Sequence, residues 1–144
     1  MDWAVVMMCA HALSWPVHVT DCEDRFRTCM RVGQEARGYD LPPHIAISVA
    51  YTESRFNKEA VSPRGAMGPI QILPQYHCPN KEVDGCDLVD SGLRALRRYR
   101  NKYKNWADAL CHWNSGNACV TRAKRFSRIV RKRARLLART QGDK

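Results

Sequence analysis

Between Leu41-Pro42-Pro43 and Arg55 the chain reads His44-Ile45-Ala46-Ile47-Ser48-Val49-Ala50-Tyr51-Thr52-Glu53-Ser54. Proline is excluded from a helix interior but suits the first turn of a helix that begins with it. From Ile45 to Ala50 the apolar positions fall on nearly every side of a helical projection, not along one stripe. A helix of that kind has to be enclosed by other elements. Whatever this chain folds into must therefore be built around residues 44–54. Glu53 falls in the last turn of this segment, where the helix dipole disfavours a negative charge. Burial disfavours the charge as well. Both effects keep the carboxyl protonated, which suits it to donate a proton near neutral pH. On position alone, Glu53 is also simply the first polar residue after a buried helix.

The rest of the chain supplies walls for that helix. No alternating apolar and polar run demands a strand, so the fold class is mainly α. Residues 21–36 predict a helix capped by Asp21, with Cys22, Phe26, Cys29 and Gly33 on one face and Gly38 at its end. Pro69 opens a short predicted helix that Pro74 ends, and residues 76–87 read as a loop. Residues 89–103 predict a helix with Leu93, Leu96, Tyr99 and Tyr103 inward. Asn105 caps the next one, 106–113, which Asn114-Ser115-Gly116 ends. Residues 122–139 form a basic amphipathic helix: Phe126, Ile129, Val130, Ala134 and Leu137 fall at helical spacing among nine arginines and lysines. Its apolar stripe packs, and its charged face suits an anionic wall polymer or membrane surface.

A chain of 144 residues suits one domain and one core. Its net charge of +10 favours acidic partners. Residues 4–13 are apolar apart from His11, and Ala10-His11-Ala12 resembles a leader cleavage site, although no Lys or Arg precedes it and Asp2 has the wrong sign. The run is short for a bilayer span. The expected organisation is an apolar or leader segment at 1–20, a catalytic domain at 21–121 and a basic helix and tail at 122–144. Removing the first segment takes away Cys9 and leaves Cys22, Cys29, Cys78, Cys86, Cys111 and Cys119, an even set that reads as disulfides in an oxidising compartment. Cys78 and Cys86 bracket a short loop, as do Cys111 and Cys119. Cys22 and Cys29 lie about 10 Å apart along a helix, beyond the roughly 7 Å a disulfide spans. Either that segment is not helical or each pairs elsewhere. His77-Cys78 and Cys111-His112 match no zinc spacing. No metal or cofactor is expected, and the five histidines are assigned to surface or packing roles.

Three motifs carry a resemblance. Glu53-Ser54-Arg55-Phe56 is followed by Ser62, Gly65-Ala66-Met67-Gly68 and Gln71, and then by Trp113-Asn114-Ser115-Gly116 after Ala109-Leu110. In order and spacing they resemble the lysozyme-like lytic transglycosylases, the soluble lytic transglycosylases and their goose-type lysozyme relatives, over residues 32–120. The resemblance implies a lysozyme-like helical domain acting on peptidoglycan glycan strands, cut between N-acetylmuramic acid and N-acetylglucosamine. It implies Glu53 as the single catalytic carboxyl, acid first and base second, helped by the substrate's own acetamido group. It implies that Ser62 and Gln71 bond the sugar's acetamido group and hydroxyls, that Met67 presses on a sugar face, and that Asn114 holds its turn and lines the cleft. Trp113 departs from the family's tyrosine: it keeps an aromatic face but offers only an N–H. Ser54 serves the helix end or the substrate. The resemblance further implies an exported, periplasmic or wall-associated monomer. Two rival readings stand beside it: a hydrolytic lysozyme drawing on Glu59, Asp84, Asp87 or Asp90, and a non-catalytic basic binder of wall or membrane. Nucleic acid as a partner rests on charge alone, with no motif behind it.

Overall fold

The segment at 44–54 becomes helix α3 (Pro43–Ser54) in the computed structural model, which describes residues 1–16 and 19–142. Pro43 starts it, and Ile45 through Tyr51 are all buried. Each large aliphatic side chain enclosed this way contributes roughly 1.5–3 kcal/mol. The polar member of the run, Ser48, is satisfied: its hydroxyl donates to the Val130 carbonyl at 2.6 Å.

The walls are α1 (Trp3–Leu13), α2 (Cys22–Gly38) and α7 (Thr121–Arg139), all packed on α3. α5 (Leu88–Tyr103) packs on α2 and α6 (Trp106–Ser115), and α6 packs on α7. A short α4 (Pro74–His77) and a 3-10 turn (Pro79–Lys81) complete the described elements. Among the described residues β-pairing is limited to two isolated bridges, Val61 to Met67 and Met67 to Ile72. The mainly helical architecture expected from the sequence is what forms. α7 turns Ala123, Ser127, Val130, Ala134 and Leu137 inward and most of its cations outward, with Arg131 and Arg133 half-buried.

Several local expectations are corrected. Val5, Met8, Cys9 and Ala12 of α1, at helical spacing, are part of the core. It meets α2 and α3 at Gly33, where a Cβ would stand 2.6 Å from Val5 Cγ1 and 2.9 Å from Ile47 Cδ1. Asp2 caps α1 through Val5 N–H at 3.2 Å and pairs with Arg37 at 2.6 Å. Cys9 is bonded to Cys29, so the expected six-cysteine set is wrong in one member: Cys22, one of the disulfide candidates, is a free, exposed thiol. Both Cys22 and Cys29 lie on α2, and only Cys29 faces α1. Cys78–Cys86 and Cys111–Cys119 do pair.

Asp21 has left-handed backbone (φ 55°) and makes no capping bond, whereas Asn105 caps α6 as expected, accepting from Asp108 N–H at 2.8 Å. Pro74 opens a helix instead of closing one. The preceding stretch cannot be helical, because Gly68 and Gln71 have φ of 82° and 63° and Met67 is tied to Ile72 across the turn. Val17 and His18 of the 1–20 segment and the last two residues of the basic tail lie outside the described residues.

Candidate active site

Glu53 is held by the abrupt end of α3. Arg55 and Phe56 are both left-handed (φ 51° and 64°), and Phe56 is buried as an anchor. Arg25 reaches across to the Arg55 carbonyl at 2.8 Å. The Ser54 hydroxyl donates to the Pro69 carbonyl at 2.8 Å and accepts from Asn57 N–H at 3.2 Å, so Ser54 ties the helix end to the following loop. The last turn of α3 has little freedom left, and neither has the carboxyl it carries.

The loop at 57–72 is pinned by its own side chains. Ser62 Oγ accepts from Ala66 N–H at 3.0 Å. Gln71 spends both amide protons on the carbonyls of Ala60 (3.1 Å) and Gly68 (2.9 Å), which leaves its side-chain oxygen as an acceptor. At Gly68 a Cβ would lie 2.8 Å from Leu88, so only glycine allows the loop to sit this close to α5.

These elements enclose a cleft of ≈ 450 Å³. Gln71, Ile72 and Leu73 form one wall, and Trp113 to Gly116 at the end of α6 form another. Tyr76 and His77 of α4, Tyr99 of α5, and two arginines, Arg64 and Arg122, complete it. The cleft wall holds no carboxylate among the described residues. Glu53 adjoins it through Trp113, whose indole N–H donates to Glu53 Oε2 at 3.2 Å. Burial pushes the Glu53 carboxyl up to about 7, and the indole hydrogen bond pulls the other way. The indole N–H is a donor-only group and can only favour the ionised carboxylate.

Asn114 Oδ1 is buried and has no hydrogen-bond partner. A buried acceptor left unmade is costly, so this atom calls for a ligand N–H or O–H. Gln71, Trp113 and Asn114 all line this one cleft. Ser62 and Met67 do not line it: the Ser62 hydroxyl oxygen closes its own loop, and Met67 is engaged in both bridges.

Among the cleft residues that were not expected, four stand out: His77, Tyr99, Arg64 and Arg122. His77 stacks on Trp113 (6.1 Å, 17°), and its Nδ1 lies 3.2 Å from the Arg98 guanidinium. A guanidinium only donates, so Nδ1 accepts and the neutral ring carries its proton on Nε2. Burial, then the Arg98 charge, hold its pKa below the usual value. Tyr99 stands edge-on to Trp113 at 5.3 Å. Of the four, only Tyr99 had a sequence signal, its inward position on α5. Arg64 sits inside the second motif at a place the motif leaves open.

The acids considered as partners for Glu53 are occupied elsewhere or exposed. Asp87 caps α5 and pairs with Arg31, and Asp90 pairs with Arg94 at 3.0 Å and accepts from the Tyr39 hydroxyl. Glu59 and Asp84 are exposed. Cys78 and Cys111 are consumed in disulfides, so neither has a thiolate to offer a metal. The arrangement has what a single-carboxyl acid–base reaction on a polar, ring-bearing ligand needs: one proton donor poised near neutrality, aromatic faces and amide acceptors.

The family model described as the transglycosylase SLT domain matches residues 30–135. No solved structure matches the chain.

Proposed function

Because the chain belongs to the transglycosylase SLT domain family, and so is a peptidoglycan-directed enzyme of the lytic transglycosylase kind, we propose that it cleaves the bond between N-acetylmuramic acid and N-acetylglucosamine with Glu53 as its one catalytic carboxyl. The observation that carries this reading is Glu53 itself, raised to about 7 beside a cleft whose walls bring no second acid. Glu53 protonates the leaving glycosidic oxygen. The substrate's acetamido oxygen stabilises the sugar cation, the recognised route when a carboxylate pair is missing. The carboxylate, now held by the Trp113 N–H at 3.2 Å, then takes the proton of the sugar's C6 hydroxyl. That oxygen closes on C1 and leaves a 1,6-anhydro end. A pKa near 7 suits both halves, because the same group must give and take one proton at similar cost. Gln71 and Asn114 supply acceptors for acetamido N–H and hydroxyl groups, while Trp113 and Tyr99 offer ring faces.

The setting in which this enzyme works is cell-wall opening, for lysis or for a secretion apparatus, by an exported protein. The three disulfides support an oxidising compartment. The outward cations of α7 supply attraction to anionic wall.

Purified peptidoglycan digested with the enzyme and examined by mass spectrometry is expected to carry anhydro ends. Reducing ends would mean that water, not C6, completes the reaction, and that the protein acts as a lysozyme. Glu53→Gln is expected to abolish wall clearing, a loss of about 10²–10⁴-fold or more for removal of a general acid. Full clearing by that variant would overturn the reading.

A further inference from the structure

A second cavity, of ≈ 370 Å³, opens where the chain leaving α1 meets α3 and α7, and it shares no lining residue with the cleft. Trp15, Pro16, Ile129 and Leu136 give it an apolar lining over Tyr51, and Lys132 and Arg133 bring positive charge. Trp15 stands edge-on to Tyr51 at 4.6 Å. The Arg133 guanidinium lies 4.9 Å over the Tyr51 ring and donates to Thr52 Oγ1 at 3.0 Å.

Arg133 is half-buried, yet no carboxylate lies within ion-pair distance of it or of Lys132 among the described residues. Burial holds its pKa below the usual value; Tyr51 acts against that lowering and the Arg55 charge adds to it. A cation withdrawn from water among other cations is unfavourable until an anion joins it. The apolar lining asks for hydrocarbon at the same place.

We propose that this groove binds an anionic phospholipid, the headgroup phosphate on Arg133 and Lys132 and an acyl chain along Trp15, Ile129 and Leu136. The surroundings fit a lipid surface. On α1, Trp3 and Met7 are 67% and 51% exposed, and with His11 they lead at four-residue spacing to Trp15, on whose ring His11 stands edge-on at 5.9 Å. α7 adds exposed Arg125, Arg128 and Arg135. An apolar edge beside a cationic helix face is how proteins lie on anionic bilayers. A wall polymer carries no acyl chain to fill the apolar lining. The volume is that of a site for one small ligand, in the range of roughly 300–1,000 Å³.

The test is co-sedimentation of the full, disulfide-intact chain with vesicles of phosphatidylcholine alone or mixed with phosphatidylglycerol, at about 0.15 M salt, where loose surface attraction is screened. Binding to the mixed vesicles only is expected. The double variant Lys132→Gln/Arg133→Gln is expected to bind about tenfold or more weakly, and the charge-matched Lys81→Gln/Lys104→Gln to stay within about twofold. Thermal melts and wall clearing report that each variant is folded. Should the double variant not fold, Lys132→Gln/Trp15→Leu is judged by the same comparison. Equal losses in the groove and control pairs would reduce the effect to net charge and overturn the proposal. Absence of vesicle binding by the unaltered chain would also overturn it, including where an acidic peptide binds instead.

Discussion

At the residue scale the proposed chemistry turns on one proton and the indole beside it. With its folded pKa raised from 4.5 to about 7, Glu53 binds its proton more tightly in the native chain than in the unfolded one. Stability therefore falls as pH rises from about 4.5 to 7 and is level above that. Glu53→Gln removes this dependence. The variant is expected to gain on the native protein across that window, on the order of 1–3 kcal/mol by pH 8, as read from denaturation midpoints at pH 4, 6 and 8. The Trp113 N–H holds the ionised form, so Trp113→Phe keeps the ring but lets the pKa rise. The descending limb of the kcat/KM profile, which needs protonated Glu53, is expected to move to higher pH in that variant. An unmoved limb would mean the indole bond does not act on the reacting state.

At the element scale α1 and α7 matter most, because both lie outside the three motifs and both build the core. The Cys9–Cys29 bond ties α1 to α2 across 20 residues. A loop of that size corresponds to about 3 kcal/mol of unfolded-state entropy. Cys9→Ala is thus expected to lower stability by about 2–5 kcal/mol, whereas Cys22→Ser, at an exposed free thiol, changes it by less than about 0.5 kcal/mol. Denaturant titration separates the two. Gly33→Ala forces a methyl against Val5 and Ile47 and is expected to cost about 1–3 kcal/mol. α7 buries Val130 and Leu137 completely, so deleting residues 122–144 is expected to unfold the domain, not merely to weaken wall binding. Loss of the far-ultraviolet helical signal and of cooperative melting would show it.

At the scale of the whole molecule, the helical fold and the acid were legible in the amino-acid order because both rest on short-range physics. An all-round apolar run of one helix length must be enclosed, and a glutamate closing it must feel that enclosure. The amphipathic pattern of α7 and the two disulfides closing eight-residue loops were legible for the same reason. The Cys9–Cys29 pairing, the free Cys22 and the core role of α1 were settled only by packing, since which of two cysteines on one helix meets a neighbour depends on where that neighbour lies. His77, Arg64 and Arg122 entered the cleft by the same route, through contacts between elements distant in sequence that no local spacing encodes. The tertiary structure also turned Ser62 inward to close its own loop and set an indole proton against Glu53. Order along the chain put the carboxyl at the end of a buried helix. Only the three-dimensional arrangement, by controlling solvent and partners, chose how tightly it holds its proton.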